Sequence, residues 1–158
     1  MTRVHRWILL ALLSWVPIGI GFALWIPHLG GQPIDLIVPT ADVLAQLGRM
    51  SAEQKASHFW MTLTLDTLFP LAFGAVFVLT ALSCWGRWGR LGAAICAIPP
   101  LLDLVENMTE LLALKGNTML LPVKEVVSPI KYHSIQIAAL VVLATWIIVG
   151  VRKLVRRS

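Results

Sequence analysis

Four apolar stretches, each long enough to cross a bilayer, constrain the fold of this chain more than any other feature. They cover residues 7–26, 59–85, 91–114 and about 130–151. A helix rises about 1.5 Å per residue and the hydrocarbon core is about 30 Å thick, so about 20 apolar residues span it. The stretches lack the alternation of barrel strands, and an open sheet cannot satisfy its backbone in lipid. The sequence therefore predicts an all-α integral membrane bundle of four transmembrane helices.

The composition agrees with this class and excludes several others. Hydrophobic residues make up 58% of the chain and charged residues 13%, which is far from the balance of a soluble domain. With 158 residues, the spans and their connections use nearly all of the chain, so residues 1–158 are predicted to form a single four-helix transmembrane domain. The net charge of +5 comes from basic residues near span ends, without a basic groove motif, so no nucleic acid is expected. No nucleotide or dinucleotide motif is present, and no cofactor is predicted.

Basic residues are distributed unevenly between the two sides of this predicted bundle. Eight lie at the termini and in the second connection: Arg3, Arg6, Arg87, Arg90, Arg152, Lys153, Arg156 and Arg157. Five lie on the opposite side: Arg49, Lys55, Lys115, Lys124 and Lys131. The positive-inside rule therefore predicts that both termini are cytoplasmic, in a bacterial inner (plasma) membrane.

The first connection, residues 27–58, combines chain breakers with helix signals. Its start is rich in Pro and Gly, which predicts an irregular path. Thr40 then predicts the start of a short interfacial helix that Gly48 ends. Ser51 and Gln54 form a capping-box pattern, so the second long helix is predicted to begin outside the membrane, before its apolar span.

Several polar residues lie inside the apolar stretches. In the third span, four polar residues are spaced i, i+3, i+4 and i+7, which places them on one helical stripe: Asp103, Glu106, Asn107 and Glu110. Neighbouring spans run in opposite directions, so Asp66 and the first turns of the fourth span should reach the same depth. The sequence therefore predicts one polar cluster in the outer half of the membrane, made of Asp66, Asp103, Glu106, Asn107, Glu110, His133 and Gln136.

The predicted cluster holds acids without an evident basic partner. A carboxylate in hydrocarbon costs at least ~2.5 kcal/mol, so such groups usually face a bundle interior and mark an ion, proton or substrate path. No Lys or Arg is assigned a place among them, although Lys115 and Lys131 could reach in from the span ends. One or more of the acids should therefore hold a proton near neutral pH, or a cation should bind there. His133 could exchange protons with them.

Three functions are compatible with this pattern. The first is binding or transport of a proton, cation or small polar solute through an acidic cleft in the outer leaflet, with Asp66, Asp103 and Glu106 as carriers and His133 as gate. The second is a membrane-embedded enzyme that modifies a lipid by carboxyl acid/base chemistry. The third is a structural subunit of a membrane complex, in which the polar groups fasten helices together. The partners expected are the bilayer and a small cation or polar solute, and a second copy or another membrane protein is left open.

A metal centre is not predicted. Asp66, Asp103, Glu106 and His133 are suitable ligand types, but the sequence has neither H-x-x-x-H nor H-E-x-x-H spacing. The same residue types are explained by proton or cation binding without a resident metal.

Two short elements give a resemblance. Residues 66–70 read D-x-x-F-P and residues 103–107 read D-x-x-E-N. In these elements the chain resembles a group of small bacterial four-helix membrane proteins without an assigned activity. The resemblance covers the second and third spans best and implies a four-helix topology. It implies no substrate and no functional residue.

Overall fold

Helices make up most of residues 3–84 and 88–155, the part of the chain that the computed structural model describes. The α-helices are α1 (Arg3–Trp25), α2 (Thr40–Arg49), α3 (Ala52–Met61), α4 (Thr67–Cys84), α5 (Gly89–Leu114) and α6 (Leu121–Val155). Two short 3-10 helices, Ile26–His28 and Ile34–Leu36, lie between α1 and α2. These ranges contain no strand, and the predicted all-α fold is confirmed.

Four helices are long and apolar enough to cross a membrane. They are Val4–His28, Ala52–Ser83, Gly89–Leu114 and Leu121–Val149. The prediction of four spans is confirmed, although Trp85, the predicted end of the second span, lies outside the described residues. The fourth helix begins at Leu121 and not near Ile130, because hydropathy marks where a helix becomes apolar and not where it starts.

The second span is one continuous helix that widens in its middle. Between α3 and α4, Thr62–Asp66 form a π-helical turn. Pro70 has no backbone N–H, so it cannot donate the usual i→i−4 bond to the carbonyl of Asp66. Proline is a common cause of a local break in helix regularity, and here Pro70 follows the π-helical turn by about one turn.

The four long helices pack around α4. This helix contacts α1, α5 and α6, and α5 also packs along α6. Gly74 of α4 allows close approach to α5, because a Cβ there would lie 2.7 Å from Cγ of Pro100. The outward side of α5 is apolar, with Leu101 and Met108 exposed, whereas Glu106 on the same helix is fully buried. Such an apolar exterior around a polar interior is what a lipid environment favours.

A short turn of residues 115–120 reverses the chain between α5 and α6. Gly116 has φ 93°, a conformation that favours glycine. Its N–H donates to the carbonyl of Ala113, and the N–H of Asn117 donates to the carbonyl of Leu112. This pair of bonds is a Schellman ending, which stops α5 abruptly and lets α6 return antiparallel beside it.

Residues 26–51, which we call the cap segment, cover one end of the bundle. Ile34, Val43 and Leu47 of this segment are buried against Leu114 of α5 and Leu121 of α6. The helix predicted here is present as α2, but Thr40 is its first residue and not its cap, and the helix continues through Gly48 to Arg49. The apolar side of α2 therefore packs on the bundle.

The capping box predicted at the start of the second long helix is confirmed. The N–H of Gln54 donates to Oγ of Ser51 at 3.2 Å, and the N–H of Ser51 donates to Oε1 of Gln54 at 2.9 Å. Helix α3 therefore begins well before the apolar span and carries His58 beneath the cap segment.

Candidate functional site

The polar stripe of α5 faces a second polar stripe on α6. On α5 the residues are Asp103, Glu106 and Glu110, and on α6 they are Lys124, Ser128 and Lys131. Both sets advance by about one helical turn per step, and the helices are antiparallel. One turn forward along α5 is therefore matched by one turn back along α6. We call these six residues the α5–α6 ladder.

Two lysine ammonium groups hold the ladder together. Nζ of Lys131 lies 3.0 Å from Oδ1 of Asp103 and also pairs with Glu106. Nζ of Lys124 lies 2.9 Å from Oε1 of Glu106 and 3.5 Å from Oε1 of Glu110. The Ser128 hydroxyl donates a further hydrogen bond to Glu106. Because these charges are buried, removing one member of a pair would leave the other uncompensated, at a cost of about 3–5 kcal/mol.

The expectation that the buried acids lack a basic partner is wrong. The sequence pattern allows Lys131 to reach in from a span end and gives Lys124 no such role, but α6 includes both, and each extends its ammonium among the acids of α5. The sequence contains a signal for a polar face on α6, because Lys124, Ser128 and Lys131 follow the i, i+4, i+7 spacing of one side of a helix. Hydropathy places Lys124 and Ser128 before the fourth apolar stretch, which begins at about residue 130.

The first turns of α6 also hold the cap segment. Nζ of Lys124 donates to the carbonyl of Ile37 at 2.8 Å. Oε2 of Glu125 accepts from the backbone N–H of Thr40 at 3.1 Å and from its hydroxyl at 2.6 Å. The same lysine therefore connects the ladder to the cap segment, so the burial of the acids and the position of the cap depend on each other.

Asn107 links the third span to the wide turn of the second. Its Nδ2 donates to the backbone carbonyl of Asp66 at 2.8 Å. Pro70 has no N–H to donate to this carbonyl. The side chain of Asn107 on α5 therefore supplies the hydrogen bond that the second span cannot make within itself. The bond brings Asp66 next to the acidic stripe, as the sequence predicted for these two residues.

Asp66 and Asp35 line one cavity beside the ladder. The cavity measures about 220 Å³ and lies between the end of α1, the cap segment and the wide turn. Its lining residues are Phe22, Ile26, Pro33, Asp35, Leu36, Met61, Asp66 and Phe69. Oδ1 of Asp35 and Oδ2 of Asp66 are buried and have no hydrogen-bond partner among the described residues. Two carboxyl groups from distant parts of the chain thus reach the same largely apolar space.

Asp35 is a site residue that the sequence reasoning missed. It lies outside the apolar spans, in a 3-10 turn of the cap segment, so depth along a span could not locate it. Burial raises the pKa of the Asp35 carboxyl, while Lys131 acts in the opposite direction and Glu106 adds to the rise. The one sequence signal was an acid in the apolar run between Pro33 and Pro39.

Negative groups outnumber positive groups in this region. Asp35, Asp66, Asp103, Glu106 and Glu110 supply five carboxyl groups, whereas Lys124 and Lys131 supply two ammonium groups. Both oxygens of fully buried Glu110 lack a hydrogen-bond donor within the described ranges, and its contact with Lys124 is the long one at 3.5 Å. The arrangement can therefore take up protons or accept a cation. Residues 3–84 and 88–155 contain no group of three or more His, Cys, Asp or Glu arranged to hold a metal ion.

No protein-family model, curated protein or solved structure matches this chain. The resemblance in its D-x-x-F-P and D-x-x-E-N elements stays a prediction.

His133 and Gln136, which the sequence placed in the cluster, are exposed on α6. Neither takes part in the hydrogen bonds and ion pairs described for the acids. Position 133 is two residues beyond Lys131, which is a rotation of about 200° around a helix, so it points away from α5. Depth along a span does not specify which side of a helix faces its neighbour, so the structure leaves both residues outside the cluster of acids.

A different histidine lies inside the structure. His58 of α3 is fully buried, and its Nε2 accepts a hydrogen bond from the backbone N–H of Ile34 at 3.3 Å. An accepting Nε2 requires the neutral imidazole. His58 therefore holds the cap segment close to Asp35, next to the cavity.

Proposed function

We propose that this chain binds a proton or a small cation at Asp66 and Asp35, and that this binding serves transport of a proton, cation or small polar solute. The observation that carries the proposal is the excess of buried carboxyl groups over lysines, together with Asp35 and Asp66, two acids that line one cavity and each have an oxygen without a hydrogen-bond partner in the described ranges. A buried and unpaired carboxylate is costly, and the cost is relieved by protonation or by a bound cation.

The ladder and the cavity have different roles in this proposal. Asp103 and Glu106, which the sequence suggested as carriers, are each held by a lysine at 3.0 and 2.9 Å. Such pairs fix helices in position, so the ladder fastens α5 to α6. The carrier role passes to Asp66 and Asp35, which form no ion pair within the described part of the chain.

A fastening role for the ladder also supports the structural alternative. If the chain serves as a subunit of a membrane complex, the paired residues alone would explain the buried charges. The cavity favours binding over a purely structural role, because fastening helices does not require two carboxyl groups in the lining of one cavity.

We further propose a bacterial inner membrane, with both termini cytoplasmic and the cap segment on the outer side. Because Lys124 and Lys131 face the buried acids, Arg49, Lys55 and Lys115 remain as the surface basic residues of the cap side. The terminal side then has eight basic residues and the cap side has three surface basic residues. This larger difference strengthens the prediction from the positive-inside rule.

Proton flux into reconstituted vesicles tests the proposed function. The full chain is placed in liposomes that contain a pH-sensitive dye, and an imposed potential drives proton entry. We expect wild type and Asp42→Asn, which changes an exposed acid of α2, to show the same flux above protein-free vesicles. Asp66→Asn should lose at least about 90% of it, because an amide cannot carry a proton.

Flux of Na⁺ or K⁺ into the same vesicles, measured under an imposed gradient of that ion, tests whether a cation is transported in place of a proton. Equal fluxes for wild type and Asp66→Asn, or a wild type that matches empty vesicles in every gradient, would contradict the proposal. In that event the structural role is retained.

A further inference from the structure

We infer that the Asp35–Asp66 cavity binds a small organic ammonium ion, that is, an alkylamine in its protonated form. The inference rests on the proposed function and names the ligand class for the same site. It is carried by the walls of the cavity, its size and the positions of its two carboxyl groups.

The walls suit an organic cation better than a bare metal ion. Six of the eight lining residues are apolar: Phe22, Ile26, Pro33, Leu36, Met61 and Phe69. A hard cation such as Ca²⁺ needs six to eight oxygen ligands, and Mg²⁺ an octahedral set. In the described ranges no group of three or more Asp, Glu, His or Cys is arranged so that it could hold a metal ion. An alkylammonium needs a charged partner at one end and apolar contact along the rest.

The aromatic rings strengthen this preference. Phe22 and Phe69 both line the cavity, with ring centroids 6.3 Å apart and planes nearly perpendicular at 89°. Phe69 is held in turn by Trp15, at a centroid distance of 6.0 Å. Aromatic faces attract ammonium groups, and a combination of rings and carboxylates is typical of sites for organic cations.

The size limits the ligand to a few carbon atoms. The cavity measures about 220 Å³, below the range of roughly 300–1,000 Å³ for drug-sized ligands. A primary ammonium carries three N–H donors. Asp35 and Asp66 both line the cavity and form no ion pair in the described ranges, so an ammonium ion held there would have two carboxyl groups as candidate partners.

Thermal unfolding with n-butylammonium as the probe tests the inference. The full chain in detergent is unfolded at pH 7.5 while its tryptophan fluorescence is recorded, across a titration of n-butylammonium chloride. Matched titrations use 1-butanol, which has a similar shape without charge, and NaCl, MgCl2 and CaCl2 at equal ionic strength. We expect the melting temperature to rise with n-butylammonium and to rise less with every comparison solute.

Variants assign the effect to the cavity. Asp66→Asn and Asp35→Asn should each weaken the apparent affinity for n-butylammonium by about tenfold or more, because each loses a charge-assisted hydrogen bond. Asp42→Asn, which removes an exposed acid of α2, should leave the affinity unchanged. Because Asp35 lies outside the spans, its variant keeps the test valid if Asp66→Asn fails to fold.

Two matched variants that each replace a phenylalanine by leucine provide a second comparison. Phe22→Leu keeps an apolar wall but removes a ring, so the affinity for n-butylammonium should fall by about two- to fivefold. Phe77→Leu makes the same change on α4 at a residue that does not line the cavity, and it should have no effect.

The outcomes separate this inference from the proposed function. If Na⁺, Mg²⁺ or Ca²⁺ stabilises the chain through Asp66 and n-butylammonium does not, the ammonium inference is wrong and the proposed function stands. If 1-butanol acts as strongly as n-butylammonium, or Asp42→Asn loses the response as well, the inference is also wrong. If no cation stabilises the chain and the vesicles show no flux, both fail.

Discussion

Asp35 and Asp66 show how the surroundings of a side chain make it a candidate binding residue. Asp35 lies in a turn and Asp66 in a helix, yet both line the same cavity with a buried, unpartnered oxygen. Asp103 lies close by but has Lys131 at 3.0 Å. The three residues have the same chemistry, and the position of one ammonium group divides them into a fastening residue and two candidate binding residues.

The stability of the protein should depend on pH through Asp35. Burial raises its pKa in the folded state, so the folded chain holds this proton more tightly than the unfolded chain. Its contribution is therefore fully present below the ordinary Asp pKa of about 4 and is lost as the pH rises through the folded value. Asp35→Asn should unfold at a higher temperature than wild type near neutral pH, with a smaller difference at pH 4.

Melting temperatures in detergent from pH 4 to pH 8 measure this difference. Asp42→Asn serves as the control, because it makes the same substitution at an exposed acid that does not line the cavity. A difference between wild type and Asp35→Asn that is constant across the pH range would contradict the prediction.

Pairs of elements determine how the acids are held. The Schellman ending at Gly116 brings α6 back along α5, and this places Lys124 and Lys131 opposite the acidic stripe. The stripe and the four spans could be predicted from the sequence, because the stripe depends on periodicity along one helix and the spans on the length and hydropathy of single stretches. The start of α6 could not be predicted from hydropathy, since its first turns are polar and contain prolines.

The remaining errors concern relations between elements. His133 and Gln136 were assigned from depth alone, and depth does not say which side of a helix faces its neighbour. Asp35 reaches the site through a turn in the cap segment, a contact between distant parts of the chain that no local pattern encodes. Asn107 and Asp66 were placed together correctly because both lie at one depth and the acidic stripe includes Asn107.

Lys124 should be the residue on which the element packing depends most. Lys124→Met leaves Glu106 and Glu110 without this partner and frees the carbonyl of Ile37, so we expect a loss of about 3–5 kcal/mol in the free energy of unfolding. Adding Glu106→Gln should recover part of that loss, because fewer buried carboxylates then share the one remaining lysine, Lys131. Denaturant titration of wild type, each single variant and the double variant gives the four free energies of unfolding for a double-mutant cycle.

Lys55→Met is the matched control for this cycle, because Lys55 is a cap-side lysine that forms no described ion pair. It should change the free energy of unfolding by less than about 0.5 kcal/mol. Additive losses in the double variant would mean that Lys124 and Glu106 are not coupled, and the ladder would not be the fastening described above.

At the scale of the whole molecule, an apolar exterior encloses a polar interior near one end. The cap segment covers that end, and Lys124 and Glu125 hold it in place from α6. The candidate binding residues Asp35 and Asp66 therefore lie near the end of the bundle that the cap segment covers. Which membrane face this end lies at decides the direction from which a proton or an ammonium ion would arrive.

The charge distribution predicts that the covered end faces outward. A chain with Cys84 and Cys96 replaced by alanine receives either Glu53→Cys, an exposed position at the start of α3, or Ser158→Cys at the C-terminus. In intact bacterial spheroplasts, a membrane-impermeant maleimide should label Glu53→Cys, and it should label Ser158→Cys after permeabilisation alone. The positive-inside rule is the physical reason, since eight basic residues on the terminal side resist translocation against three on the other. The reverse labelling pattern would place the cap segment in the cytoplasm, and the cavity would then receive its ligand from inside the cell.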